Sequence, residues 1–222
     1  MKVGFYGGAF NPIHRCHLVV AETVQSRIGL DTVLFIPTGD PPHKLPDEFI
    51  PAAQRLEMAR LAIAGHPSFE LCDIETRRRS KSYSIETVRQ LRRSYPAGTS
   101  LIFIIGLDAF LDLPSWKDPE ALLAECDFAV VSRPTHRFAS IASLSFLHSE
   151  DFPLLQQLDG RQRDTESFRL RTGRTLWALS IPPCEVSSQD VRKRLKHKES
   201  IENLLPPSVE SYIVKNHILG GR

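Results

Sequence analysis

Residues Lys2 to His17 read KVGFYGGAFNPIHRCH, and the fold class turns on them. Val3 and Phe5 alternate along a short apolar strand that breaks at Gly7-Gly8. A further turn contains Asn11-Pro12, and His14 and His17 then open an amphipathic run, Leu18-Val19-Val20-Ala21. Strand, glycine turn and helix start, in that order, bring backbone close to an anion in α/β proteins. The histidine spacing sets both imidazoles near the first helical turn, on one face.

Working outward, Thr32–Ile36, Phe69–Cys72, Leu101–Ile105, Asp127–Val131 and Leu176–Leu179 are short β-rich runs that read as strands. Helices are predicted between and after them. One starts near Pro51 with Leu56, Ala59 and Ile63 inward, and one at Ser84, placed as its cap, with Ile85, Val88 and Leu91 inward. A basic helix opens at Ser187-Ser188 with Val191 and Leu195 inward, and a last segment carries Val209 and Ile213. Strands alternating with helical crossovers argue for a parallel sheet covered on both faces, a Rossmann-like doubly wound α/β fold. We expect one domain over 1–222. Its sheet core spans 1–183, with a peripheral, partly helical insertion at about 138–175, and 184–222 forms a small helical part. Ligands of such sheets bind beyond the carboxyl ends of the strands. That rule gathers the loops after Tyr6, Ile36, Ile105 and Leu179.

Charge narrows the partners. The 28 basic and 26 acidic residues leave a net charge of +2, which gives no support to a general nucleic-acid or membrane-surface binder. No apolar run nears the roughly 18 residues that span a bilayer. With no secretory h-region at the start, a cytoplasmic protein is expected. Cys16, Cys72, Cys126 and Cys184 form no CxxC pair, so four thiols in a reducing compartment are expected, not a zinc site or a disulfide framework.

Several residue groups suit phosphate chemistry. Gly7 and Gly8 allow close backbone approach, the helix start adds a positive dipole end, and His14 and His17 can donate to phosphate oxygens. Ser187-Ser188-Gln189-Asp190-Val191-Arg192 is a second anion-friendly helix start, with Arg192 one turn in; taken alone it is equally a capped, solvated helix. Lys44, after His43 and two prolines, is either an exposed loop lysine or a point charge over a phosphate. Asp108, past the Ile104-Ile105-Gly106 strand end, either holds a ribose hydroxyl or caps the next helix. Trp116 is either a core aromatic or a wall for a flat ring.

Gly7-Gly8-Ala9-Phe10-Asn11-Pro12-Ile13-His14-Arg15-Cys16-His17 resembles the GG[ST]FxPxHxGH signature of the nucleotidylyltransferase superfamily. Ser187 to Arg192 resembles its closing [IV]SSTxxR motif. Pro41-Pro42-His43-Lys44, Ser82-Tyr83-Ser84, Ile105 to Ala109, Trp116 and Arg133-Pro134 are similar, in order, to bacterial nicotinate-nucleotide adenylyltransferase. The resemblance implies transfer of the adenylyl group of ATP, with Mg²⁺, to nicotinate mononucleotide, giving nicotinate adenine dinucleotide and pyrophosphate. It implies that His14 and His17 hold the ATP phosphates, with Gly8 and Phe10 giving backbone contacts. Ser187, Ser188 and Arg192 bind the β,γ end, and Gly106 and Asp108 line the adenosine ribose. His43 and Lys44 reach the mononucleotide phosphate, while Ser82, Tyr83, Ser84 and Trp116 form the nicotinate pocket. His14, His17 and Arg192 are the candidate catalytic residues.

Ala9 stands where Thr or Ser is usual, Cys16 and Ser84 where Gly and Thr are common, and Gln189 where Thr is common. Nicotinamide mononucleotide or another phosphate acceptor is the alternative substrate, and an inactive nucleotide-binding module the alternative class. Self-association is left open by the sequence.

Overall fold

The computed structural model describes residues 1–39, 49–78 and 80–220. Among these residues seven strands occur: β1 (Lys2–Gly8), β2 (Thr32–Pro37), β3 (Phe69–Leu71), β4 (Ser100–Gly106), β5 (Asp127–Val131), β6 (Thr165–Arg169) and β7 (Thr175–Leu179). Their order in the sheet is β3-β2-β1-β4-β5-β7-β6. The chain enters the sheet in the middle and builds outward both ways, the doubly wound pattern. β4 and β5 are buried along almost their whole length. A strand covered on both faces needs an unbroken apolar run, so these two were the most legible elements.

The chain divides into two compact units. The first comprises Met1–Tyr6, Val20–Val33 and Tyr83–Pro183; the second comprises Gly7–Val19, Leu34–Ser82 and Cys184–Arg222. In the first unit β1 pairs with β4, β4 with β5 and β5 with β7, all parallel. The Phe5 and Phe103 rings stack at 4.7 Å across β1 and β4, and Phe128 lies 6.0 Å from Phe103. The helix α3 (Ser84–Ser94) buries Ile85, Val88 and Leu91, as their spacing predicts.

Several expectations change here. The stretch at 138–175 contains a helix (Phe152–Asp159) and also the strand β6, which pairs antiparallel with β7. Only Phe168 of β6 is buried, so it carries little apolar signal as an edge strand. A further short helix (Pro119–Glu125) buries only Leu122 and Leu123, too few positions to show a period. Ser84 does not cap α3. The cap is Tyr83, whose carbonyl accepts from the amides of Glu86 and Thr87, and Ser84 is the first helical residue.

The second unit contains the first turn of α1 (Arg15–Ile28), the helix α2 (Ala52–Ile63), the strand β3 and the helices at Ser188–His197 and Pro207–Lys215. Phe35 sits between Phe10 and Phe69, at 5.8 and 5.3 Å. The buried face of α2 is Arg55, Met58, Ala59, Ala62 and Ile63. Leu56, expected inward, is half-buried, and a charged residue takes the inward phase at position 55. The four-thiol expectation is overturned: Cys16 and Cys184 form a disulfide, with Cα atoms 5.7 Å apart, while Cys72 and Cys126 are free thiols. The partners are 168 residues apart in sequence, so spacing held no hint of their approach.

Candidate active site

After β1 the chain turns through Ala9, Phe10, Asn11 and Pro12, and the carbonyls of Gly8, Ala9, Asn11 and Pro12 accept hydrogen bonds from other segments. Gly8 O accepts from the Thr38 amide at 2.9 Å, and Ala9 O from Arg55 Nη1 at 2.7 Å. Asn11 O accepts from Arg192 Nη1 at 2.8 Å and Pro12 O from Ser188 Oγ at 2.9 Å. Asn11 Oδ1 receives the Ile50 amide at 2.9 Å. Phe10 has φ 44°. For a bulky residue that left-handed conformation costs on the order of 1–3 kcal/mol, and it persists where surrounding bonds over-determine it. Gly8 leaves room beside it, since a Cβ there would meet the Phe10 ring at a tight 3.2 Å.

The two histidines follow at once. Their ring centroids are 3.7 Å apart, and the Phe10 ring meets His17 edge-on at 5.0 Å. His14 is buried, only 6% exposed, and its amide donates to His17 Nδ1 at 3.1 Å. A neutral His17 therefore carries its proton on Nε2, where it is a donor. The start of α1 is held in three ways. Arg15 N donates to Leu204 O at 3.2 Å and Arg15 Nε to Leu205 O at 3.3 Å, and Cys16 is bonded to Cys184.

The closing motif lies in the same unit. Ser187 caps its helix by accepting the Asp190 amide at 3.1 Å, and its hydroxyl bonds the Asp190 carboxylate. Ser188 and Arg192 make the contacts to Pro12 and Asn11 given above, so the bonds reach from one motif to the other. This helix is capped, and its first turn is bonded to the glycine turn. Arg192 Nε is buried with no hydrogen-bond partner among the described residues. Ser82, also in this unit, has a buried hydroxyl without a partner among them. His43 and Lys44 lie outside the described residues.

The other candidate residues belong to the first unit. Gly106 is the N-cap of a short helix (Leu107–Leu111), so Asp108 lies within that helix and does not cap it. Its carboxylate pairs with Arg133 Nε at 3.2 Å, both side chains being about half exposed. A Cβ at Gly106 would displace the ends of the Asp108 and Arg133 side chains, so glycine leaves room for their pairing. Beneath them Tyr6 is buried; burial pushes its phenol up to about 12, with Arg133 pulling it down and Asp108 pushing it up more weakly. Trp116 is half-buried, its ring 6.3 Å from Phe103. The neighbouring Lys117 ammonium sits 4.4 Å over the Tyr83 ring and bonds Glu86 at 2.7 Å, which raises the lysine pKa. The residue after Trp116 thus touches the residue before Ser84.

Sequence reasoning missed Arg55 and Asn11, and used Arg133 only as part of a motif. Arg55 had a signal: a charged side chain at the apolar phase of α2. Among the described residues no group of three His, Cys, Asp or Glu side chains could hold a metal ion. Nor is any described helix long and apolar enough to cross a membrane.

A model of the cytidylyltransferase-like family matches residues 5–194. A Geobacter metallireducens protein named "Probable nicotinate-nucleotide adenylyltransferase" is 40% identical over 220 residues, covering 98% of each chain. The protein of that name from Dehalococcoides mccartyi is 37% identical over 217 residues, covering 98% of this chain and 96% of its own. Among solved structures, the Plasmodium falciparum nicotinic acid mononucleotide adenylyltransferase complexed with NaAD aligns with a TM-score of 0.74 at 17% identity. That alignment covers 100% of this chain and 98% of the other, and it supports the fold.

Proposed function

The chain belongs to the nicotinate-nucleotide adenylyltransferase family, and from that premise we propose that it transfers the adenylyl group of ATP to nicotinate mononucleotide, releasing pyrophosphate and giving nicotinate adenine dinucleotide. The observation that carries this is the glycine turn, with its carbonyls bonded to Ser188 and Arg192 and its histidine pair beside it. These bonds fix the turn against a helix start whose Arg192 Nε–H has no partner among the described residues, an arrangement that suits a polyanion.

The chemistry asks little more of the protein. A mononucleotide phosphate, with a second pKa of about 6, is mostly dianionic at neutral pH and attacks the α-phosphorus without a general base. What opposes reaction is repulsion between the anions and the charge gathering on the departing pyrophosphate. Position and positive charge meet both. His14 and His17, the latter through Nε2–H, clamp the phosphates near the reacting centre, with backbone contacts from Gly8 and Phe10. Ser187, Ser188 and Arg192 hold the β,γ end, so residues 184–222 complete the ATP phosphate site. Mg²⁺ enters with ATP as the counter-ion of its phosphates. Gly106 and Asp108 line the adenosine ribose, Ser82, Tyr83, Ser84 and Trp116 receive the nicotinate ring and its carboxylate, and His43 and Lys44 take the mononucleotide phosphate. The protein acts in the cytoplasm, where both substrates occur.

The test is pyrophosphate release from MgATP with each of nicotinate mononucleotide, nicotinamide mononucleotide and phosphopantetheine. Release with the first, at the highest kcat/KM, is expected. Release confined to another acceptor overturns the substrate, and ATP binding with no release for any acceptor makes the protein a nucleotide-binding module.

A further inference from the structure

Arg55 is wholly buried, at 0% exposure, on the inward face of α2. Burying a guanidinium is unfavourable unless its donors are satisfied, and an apolar residue would fill the same phase at less cost. Here the donors go to three backbone carbonyls in three separate segments. Nη1 bonds Ala9 O at 2.7 Å, Nη2 bonds Gly39 O at 2.9 Å, and Nε bonds Ile50 O at 2.8 Å. The Phe49 ring lies 4.5 Å from the guanidinium carbon and covers it. A planar fork with donors on three nitrogens can hold three carbonyls at once; an ammonium on a flexible stem cannot reproduce that spread.

We propose that Arg55 is a positioning residue for the adenylyl transfer, setting the histidine pair through the Ala9–Phe10 peptide. The carbonyl it holds belongs to the peptide group that leads into Phe10, the residue kept at φ 44°. Fixing that carbonyl fixes the peptide plane, and with it the direction of the Phe10 amide. The Phe10 ring, so placed, stands edge-on to His17 at 5.0 Å, and His17 lies 3.7 Å from His14. From the guanidinium to the phosphate-binding imidazoles the path is thus one hydrogen bond, one constrained residue and two ring contacts, all within the second unit. The Ile50 amide on Asn11 Oδ1 ties the same segment to the residue whose carbonyl Arg192 grips, so both ends of the turn are braced.

The inference rests on the proposal that His14 and His17 hold the ATP phosphates. The experiment compares Arg55→Lys, Phe10→Leu and the double variant, by melting temperature, by kcat and KM for each substrate, and by affinity for a non-hydrolysable ATP analogue. Arg55→Lys is expected to fold and to lose about tenfold or more in kcat and analogue affinity together. Phe10→Leu keeps the Arg55 bonds and removes the aromatic edge from His17, so it lowers kcat in the same direction. Because both act along one path, the double variant loses less than the product of the two single losses. A folded Arg55→Lys with wild-type kcat, or losses that multiply, overturns the proposal. If Arg55→Lys does not fold, Phe10→Leu alone decides, wild-type kcat overturning the path. Should the wild-type protein turn over no acceptor, the proposed function fails by itself. The analogue affinities of the same variants then still test Arg55.

Discussion

The two units hold candidate residues in different ways. In the second, the groups assigned to phosphate are fixed by part-buried hydrogen bonds from Arg55, Arg192 and Ser188 to the turn, and by a disulfide on the first turn of α1. In the first, Asp108, assigned to the ribose, is tied to Arg133 by a half-exposed ion pair, and Lys117 and Glu86, next to Trp116 and near Ser84 in sequence, form another. Exposed pairs of this kind contribute about 0–1 kcal/mol and rearrange easily. The difference follows from the task. Charge that develops in a transition state is stabilised best by dipoles that need not reorganise, whereas a flat ring and a ribose tolerate small adjustments of the groups around them.

The contrast can be broken most directly at Arg192. Arg192→Ala removes both the proposed phosphate donor and the bond to Asn11 O, and kcat is expected to fall by roughly 10²–10³. A loss below threefold, with the fold intact by circular dichroism, would mean the second unit is not where charge is managed. Next, reduction of the Cys16–Cys184 bond, or the double change Cys16→Ser with Cys184→Ser, should lower stability by roughly 2–4 kcal/mol in denaturant titrations. Reduction that leaves the denaturation midpoint unmoved would remove the disulfide from the contrast.

On the first unit, Trp116→Leu should raise KM for nicotinate mononucleotide by about tenfold and leave kcat within about threefold, as expected of a group that binds substrate and transition state alike. A kcat loss as large as that of Arg192→Ala would erase the difference between the units. The smallest effect belongs to Tyr6. Its phenol is raised from its ordinary 10 to about 12 by burial, so it ionises more readily unfolded than folded. The stability this contributes is intact below about pH 10 and is lost as pH rises from there through about 12. Tyr6→Phe should flatten the fall in melting temperature over that window. If the slope is unchanged, Tyr6 is not held in the protonated form by its surroundings.

Much of this could be read from residues in a row, and the rest could not for identifiable reasons. The uncharged runs at 101–105 and 128–131 advertise strands buried on both faces, and the pair His14–His17 carries its own geometry in its spacing. Ser188 and Arg192 were legible as a helix start, but their bonds to Pro12 and Asn11 join chain positions more than 170 apart. Arg55 illustrates a different failure. Charge in a helical pattern reads as solvent-facing, and only three carbonyls converging from other segments make it an interior residue. The Tyr83 cap escaped because a backbone carbonyl does the capping, and side-chain chemistry does not reveal that.

The bond from Cys16 to Cys184 also changes the topology of the molecule. It closes the backbone from 16 to 184 into a covalent loop, with residues 1–15 and 185–222 as two free tails. A single cut by a protease anywhere inside that loop, such as at the exposed Thr135-His136-Arg137, therefore releases nothing. The nicked chain should run as one species on a non-reducing gel and fall into two only after a thiol is added. Through such damage the first histidine turn and the segment carrying Arg192 stay on one molecule. The two ends of the polyanion site are leashed to each other by a connection that does not pass through the sheet.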